Sequence, residues 1–434
     1  MLYPFKRRCD RPVAALVAPE WIWRHTPAMW KYLLILPFAL LLYLARLAPA
    51  LAAGPTPPTP ATVPQEYRAL YAELASRLDR FESRLGNPEP RKILLATNLL
   101  TANSHAGPAL LRPDWQRYNL LYLDRLQALG LNAVSVTISY PLLTPTFDDP
   151  APYLRFYETL ATEVHRRGMK LLVEHNVLLS GYTLVPVRPY YAQVDFKRFT
   201  HERYAEVLHI VQRMRPDYLS LVLEPQTHGI ALGKRLGIND WARYVRNIVA
   251  NLSKDAPQRN TLLGAGCGSW EDPAYISRFA RIKGLDYIDL HLYPLSNGYT
   301  DYLQRALDWA DEVKRLDARK RLVISEAWLF KAAAGELGGD PADARMFARD
   351  VYSFWEPLDA QYMRMLGKLA RAKGFELISP FWSRYFFSYL SYGNPAQQAL
   401  APHALMKQAN QAAFAALLAN RTTETGRAYG SINR

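Results

Sequence analysis

The feature that most restricts the fold of this chain is an alternation. Between Lys92 and Trp382 lie eight short apolar runs, at 93–98, 133–139, 170–176, 218–224, 261–266, 287–293, 321–326 and 375–382. Longer stretches separate them, with apolar residues recurring every three or four positions; 115–129, 153–166, 199–214, 241–252 and 302–316 are examples. Glycine or proline turns precede several runs (Leu129-Gly130-Leu131, Arg167-Gly168-Met169, Arg215-Pro216-Asp217, Lys373-Gly374-Phe375), as expected where a helix gives way to a strand. Eight strand-then-helix repeats predict an α/β chain closed into a (β/α)8 TIM barrel. The alternative, an open doubly wound sheet, usually has fewer strands, and no glycine-rich phosphate loop follows the first run.

A barrel places its chemistry just beyond the C-terminal ends of its strands. Strands buried on both faces should end in aliphatic residues, yet these end in Asn98, Tyr140, Glu174-His175-Asn176, Glu224, His291 to Tyr293, Glu326 and Trp382. The sharpest positions are Glu224, closing the fourth run, and Glu326, closing the seventh. Strand alternation puts Ser220, Val222 and Glu224 on one face, and Leu322, Ile324 and Glu326 on another. Strands four and seven lie nearly opposite in an eight-stranded ring, so the two carboxylates are expected to converge over a central cleft. Paired carboxylates suit glycosidic hydrolysis, where one acid protonates the leaving oxygen and the other group attacks or activates water. A spacing of about 5–5.5 Å goes with retention and about 6.5–9.5 Å with inversion.

At these residues the chain resembles the superfamily of retaining glycoside hydrolases on (β/α)8 barrels, in particular its cellulase, mannanase and endo-galactanase branches, over residues 92–418. The resemblance implies Glu224 as acid/base and Glu326 as nucleophile. It matches His291-Leu292-Tyr293 to a His-x-Tyr whose tyrosine hydrogen-bonds the nucleophile, and Trp382 to a tryptophan forming the floor beneath the sugar. His175 and Asn176 match a polar strand-three end that touches the same sugar; Asn98, Glu174 and Trp328 complete the expected binding residues. Two departures stand out. Leu223 replaces the asparagine that contacts the sugar 2-hydroxyl, with Gln226 or His228 as conceivable substitutes, and no clear arginine ends strand one or two. They leave open a divergent family, an unusual sugar, or a barrel that binds glycan without cutting; an enzyme that transfers sugars to another acceptor is a separate alternative that would use the same residues.

Plainer readings apply elsewhere. Glu174 could pair with a neighbouring histidine, Asp289 reads as a buried network member, Trp270 is a weaker cleft candidate, and Glu356 reads as a surface or capping residue. No cofactor and no metal site is expected. His175, His228 and His291 form no close pair, there is no His-Glu-x-x-His, and the two cysteines, Cys9 and Cys267, cannot make a multi-cysteine centre. Gly266-Cys267-Gly268-Ser269 is not a nucleophile elbow. Loops at 99–112 (with His105), 182–191 and 327–343 are long enough to shape a cleft, the last as a flap.

The N-terminus reads differently. Residues 32–53 are apolar apart from Arg46, six basic residues precede them, and a Gly-Pro-Thr-Pro-Pro-Thr-Pro spacer follows. This is the pattern of a cleaved export signal or a retained membrane anchor, with a buried helix as third reading. Either leading case puts the barrel outside the cytoplasm, periplasmic or secreted, with a possible inner-membrane tether. The expected organisation is a leader over 1–53, a spacer over 54–64, a lead-in helical segment over 65–90, a barrel over 91–425 and a tail over 426–434. The formal charge of +14 invites a nucleic-acid reading. Residues 1–53 carry seven basic and two acidic residues, so +9 remains without them, and no dense basic run with interleaved aromatics is left. The expected partner is a polysaccharide or oligosaccharide, not a nucleic acid, and a monomer is expected.

Overall fold

The computed structural model describes residues 63–180, 183, 185–293, 302–332, 336 and 344–434. The expected leader, most of the spacer, Tyr182 and much of the expected flap lie outside them. Among the described residues, no helix is long and apolar enough to cross a membrane. A helix α1 (Arg68–Arg84) leads in and buries Leu74, Leu78 and Phe81, the stripe that its helical spacing puts on one side.

Eight parallel strands follow: β1 (Leu94–Leu95), β2 (Ala133–Tyr140), β3 (Lys170–Val177), β4 (Tyr218–Ser220), β5 (Leu262–Gly268), β6 (Tyr287–Leu292), β7 (Arg321–Ala327) and β8 (Phe375–Pro380). They are ordered β1-β8-β7-β6-β5-β4-β3-β2. Beyond β1 the ring closes on β2, where the Ser135 N–H donates to Thr97 O (3.0 Å) and the Leu99 N–H to Ser135 O (2.9 Å). The helices between the strands are α2 (Pro113–Leu129), α3 (Ala151–Arg166), α4 (Phe196–His209), α5 (Pro225–Ala231), α6 (Ile238–Asp255), α7 (Ala274–Ala280), α8 (Tyr302–Leu316), α9 (Ala344–Arg349) and α10 (Glu356–Lys373). The five helices expected from periodicity are therefore present. Gly130 and Gly374, both at positive φ, end α2 and α10 and turn the chain into β2 and β8.

Two apolar clusters fill the barrel. A large one lies between strands and helices, and a small one plugs the lower interior with Ala96, Ala133, Leu172, Tyr218, Tyr287, Val323 and Leu377. Room for the Tyr287 ring comes from β5, since a Cβ on Gly264 would stand 2.0 Å from that ring and one on Gly266 1.6 Å from Asp289 O.

The segment set aside as a tail belongs to the barrel. Helices α11 (Pro402–Leu418) and α12 (Glu424–Gly430) follow β8. The Tyr429 hydroxyl, on α12, donates to Ala96 O and Ile378 O at 2.7 Å each, and Asn433 exchanges two hydrogen bonds with the backbone of Ile93. β1 has only two ladder residues, and these C-terminal groups bond the backbone of Ile93 and Ala96 on either side of it. Glu356 is a capping residue, accepting from the α12 backbone at Glu424 N (2.6 Å).

Two strands differ from expectation where the site lies. β4 pairs only to Ser220; bonds from Leu221 N to Gly264 O and from Gly266 N to Val222 O carry the chain to Glu224, where Pro225 starts α5. On β7, Val323 faces the interior plug while Leu322 and Ile324 pack outward, so strict alternation would send Glu326 outward. A register shift intervenes: Leu290 pairs with Ile324, but His291 pairs with Glu326. This β-bulge gives β7 one extra residue and turns Glu326 into the barrel.

Candidate active site

Glu224 and Glu326 meet above the barrel with His291 between them. One donor atom from each of the three lies within 4.8 Å of the others. His291 Nδ1 is 2.7 Å from Glu224 Oε1 and 3.6 Å from Glu326 Oε2, and His291 Nε2 is 3.1 Å from Ser325 Oγ. The Tyr293 hydroxyl donates to Glu326 Oε1. The side chains of Glu224 and Glu326 keep 16% and 12% of their exposure, enough to reach a ligand, whereas His291 keeps 1%.

The electrostatics follow from burial. Desolvation raises Glu326 to about 7; the His291 charge lowers it and the Glu224 carboxylate adds to the rise. Burial would lower His291, but Glu326 and Glu224 overcome it and push the imidazole up to about 10. His291 is thus a cation at neutral pH, bridging two acids. Glu224, His291 and Glu326 are the described residues that could together hold a metal ion.

Beneath the pair lies a polar layer. Glu174 and Asn98 are fully buried; Glu174 Oε2 accepts from Asn98 Nδ2 (3.2 Å) and Thr137 Oγ1 (2.9 Å). Burial and the nearby Glu326 carboxylate push Glu174 up to about 8. Asp289 shares its oxygens between the Ser220 hydroxyl and the Ser325 N–H, as its network reading anticipated. An aromatic wall rises beside Glu326. Trp270 and Tyr293 have centroids 5.7 Å apart, Tyr293 stacks on Phe330 at 4.7 Å, and Phe347 links Phe330 to Trp382 with 5.8 Å on each side. Trp270 and Trp382 stay half-buried, and the Arg384 guanidinium lies 4.2 Å from the Trp382 ring centroid.

Other expected contact residues are placed elsewhere. His175 points out of the barrel, because alternation along β3 gives the interior to Glu174; its Nε2 is 2.8 Å from Glu206 and its Nδ1 3.1 Å from Arg203, all fully buried. Asn176 is half-buried and accepts from the adjacent Val177 N–H (2.7 Å). Trp328 is fully buried behind the wall, its indole N–H donating to Asp350 (2.8 Å). His105 is buried and ties two loops together, accepting from Leu179 N at 2.8 Å. Leu223 is fully buried, so it brings no polar group to the cleft.

Glu271 was not singled out in the sequence. It is buried, with Oε1 accepting from Gln226 N (2.6 Å) and Oε2 from Gly268 N (2.8 Å). Burial and the neighbouring Glu224 push it up to about 8, against those two donors. A carboxylate three residues after a strand-end glycine resembles any turn acid, and only the meeting of β4 and β5 reveals its neighbours.

No protein-family model matches the chain, and no curated protein matches it in sequence. Solved structures match its shape. An exo-β-1,4-mannosidase from Opitutaceae bacterium strain TAV5 is similar at TM-score 0.52 and 16% identity, over 80% of this chain and 60% of that one. A GH5_18 protein from Bifidobacterium longum subsp. infantis is similar at TM-score 0.52 and 14% identity, over 79% and 78%. The chain thus spans three fifths of the mannosidase. The fold is the eight-stranded parallel barrel that these carbohydrate-active proteins also adopt.

Proposed function

We propose that the protein is a retaining glycoside hydrolase acting on a β-linked oligosaccharide or polysaccharide, with Glu224 as acid/base and Glu326 as nucleophile. The observation that carries this reading is the approach of the two carboxylates to within 4.8 Å across His291. An oxygen-to-oxygen approach that close favours double displacement, which goes with about 5–5.5 Å between the groups, over inversion, which needs about 6.5–9.5 Å to seat a water. In the first step Glu224 gives its proton to the glycosidic oxygen as the C–O bond breaks, and a Glu326 oxygen bonds to the anomeric carbon. In the second, Glu224 takes a proton from water as that water displaces Glu326 and frees the sugar. Tyr293 aims Glu326, and it and the His291 charge favour the Glu326 anion against the cost of burial, while Trp270 and Trp382 offer faces on which sugar rings stack.

The likeness to a β-1,4-mannosidase fold makes β-1,4-mannosides the first substrates to try. Cleavage within a chain is our reading for polymers, and the apolar run over 32–53 supports an exported enzyme, with a retained membrane tether as the alternative to a cleaved signal. The test is Glu326→Ala together with NMR of the first-formed anomer. Loss of turnover with an unchanged melting curve, and a wild-type product of retained configuration, are expected; undiminished turnover or an inverted product refutes the assignment. Buried Leu223, where a polar contact to the sugar would otherwise stand, favours a second reading, a barrel that holds glycan without cutting it. That reading requires sugars to bind with no new reducing ends from any polymer.

A further inference from the structure

The turn after β5 touches the ends of β4 and β6, beside Glu224 and His291. Gly268 and Glu271 close it reciprocally: Glu271 N donates to Gly268 O (2.9 Å) and Gly268 N to Glu271 Oε2 (2.8 Å). Ser269 N donates to His291 O (2.9 Å), and Tyr293 N to Ser269 Oγ (3.3 Å), so the turn is fastened to the end of β6. Arg305, on α8, donates to the carbonyls of Ser269 and Glu271. Across the gap to β4, Glu271 Oε1 accepts from Gln226 N at 2.6 Å. Gln226 lies two residues beyond Glu224, in the first turn of α5, where a backbone N–H has no partner within its own helix. The backbone bonds from β4 to β5 end at Val222, so Glu224 stands two residues beyond them on a connection.

We propose that Glu271 is a positioning residue for Glu224, fastening the connection that bears it to the β5–β6 side of the site. A buried carboxylate costs several kcal/mol unless its oxygens are satisfied. Here one oxygen serves the turn and the other serves the Glu224 connection, so the residue couples the two. The inference rests on Glu224 acting as the acid, and its test is built on that step. A phenyl leaving group needs protonation as it departs and a 2,4-dinitrophenyl group does not, so damage to the acid alone separates the two substrates.

The experiment compares kcat/KM for the phenyl and 2,4-dinitrophenyl β-glycosides of the sugar that the wild-type enzyme turns over fastest. Glu271→Gln replaces one acceptor oxygen with a donor and loses one of the two bonds. The expected result is a fall of roughly 10- to 100-fold on the phenyl glycoside, with less than about threefold on the dinitrophenyl glycoside. Equal falls on both, or none, overturn the proposal. Glu271→Asp keeps the carboxyl group but shortens the reach, is expected to show the same split, and serves as the readout if the glutamine variant does not fold. Glu224→Gln is the control. If it shows no split, the acid assignment itself fails; if it does and neither Glu271 variant does, only the positioning role fails.

Discussion

His291 holds the site's cation, and removing that charge has a calculable consequence. Glutamine at this position retains an N–H donor for Glu224 but cannot become positive. The imidazole nitrogen is 3.6 Å from Glu326 Oε2. At an effective dielectric of about 20, a pair of charges at that distance is worth about 4–5 kcal/mol, an upper figure for this site. An opposite charge this near lowers a carboxyl by about 1–3 pH units in practice. The sign is unambiguous: without the cation the Glu326 anion is less favoured, so a group that titrates at about 7 in the native protein moves higher. With a rise of about two units, the ionised fraction at pH 6 falls from about a tenth to about a thousandth, a loss of roughly 100-fold. The assay is kcat/KM against pH, whose acid limb reports the free enzyme's nucleophile. We expect the His291→Gln limb to move up by about 1–3 units, with a deficit that shrinks as pH rises. An acid limb left in place or moved down refutes the electrostatic reasoning.

Two further perturbations test the scaffold. Gly266→Ala places a Cβ 1.6 Å from Asp289 O, a backbone atom of the neighbouring strand that cannot step aside, so the variant should be insoluble or melt far below the wild type; a near-native melting curve contradicts the packing of β5 against β6. Lys331→Met removes the cation lying 2.5 Å from Asp359 and 3.5 Å from Asp350 in a fully buried group, so urea melts should lose about 3–5 kcal/mol; no loss would mean the two aspartates are neutral.

Much of the fold was legible because period-2 and period-3.6 patterns are local, and eight alternations leave few closed arrangements. The helical spacing in α2, α3, α6 and α8 was strong enough to mark each helix, with ends adjusted only by a few residues. β1 and β4 were overestimated, because an apolar run reads as a strand whether or not its neighbours supply a ladder. The polar strand ends gather at one rim: Glu224, His291, Tyr293 and Glu326 come together, with Trp382 in the nearby wall.

The order of elements and the residue types at the rim are thus local properties of the chain, since both follow from periodicity and from polar groups where apolar ones belong. Which of those residues share a space was decided by the tertiary structure. Alternation counted along β7 leads Glu326 away from the barrel once Val323 is known to face inward, and the bulge opposite His291 restores it. Alternation also gives the interior to Glu174 and sends His175 to the helices, a choice settled by the phase of β3 rather than by its composition. Glu271 and the C-terminal helix have no local signature at all. Their roles come from contacts with segments distant in the chain, and such contacts exist only once the barrel has closed.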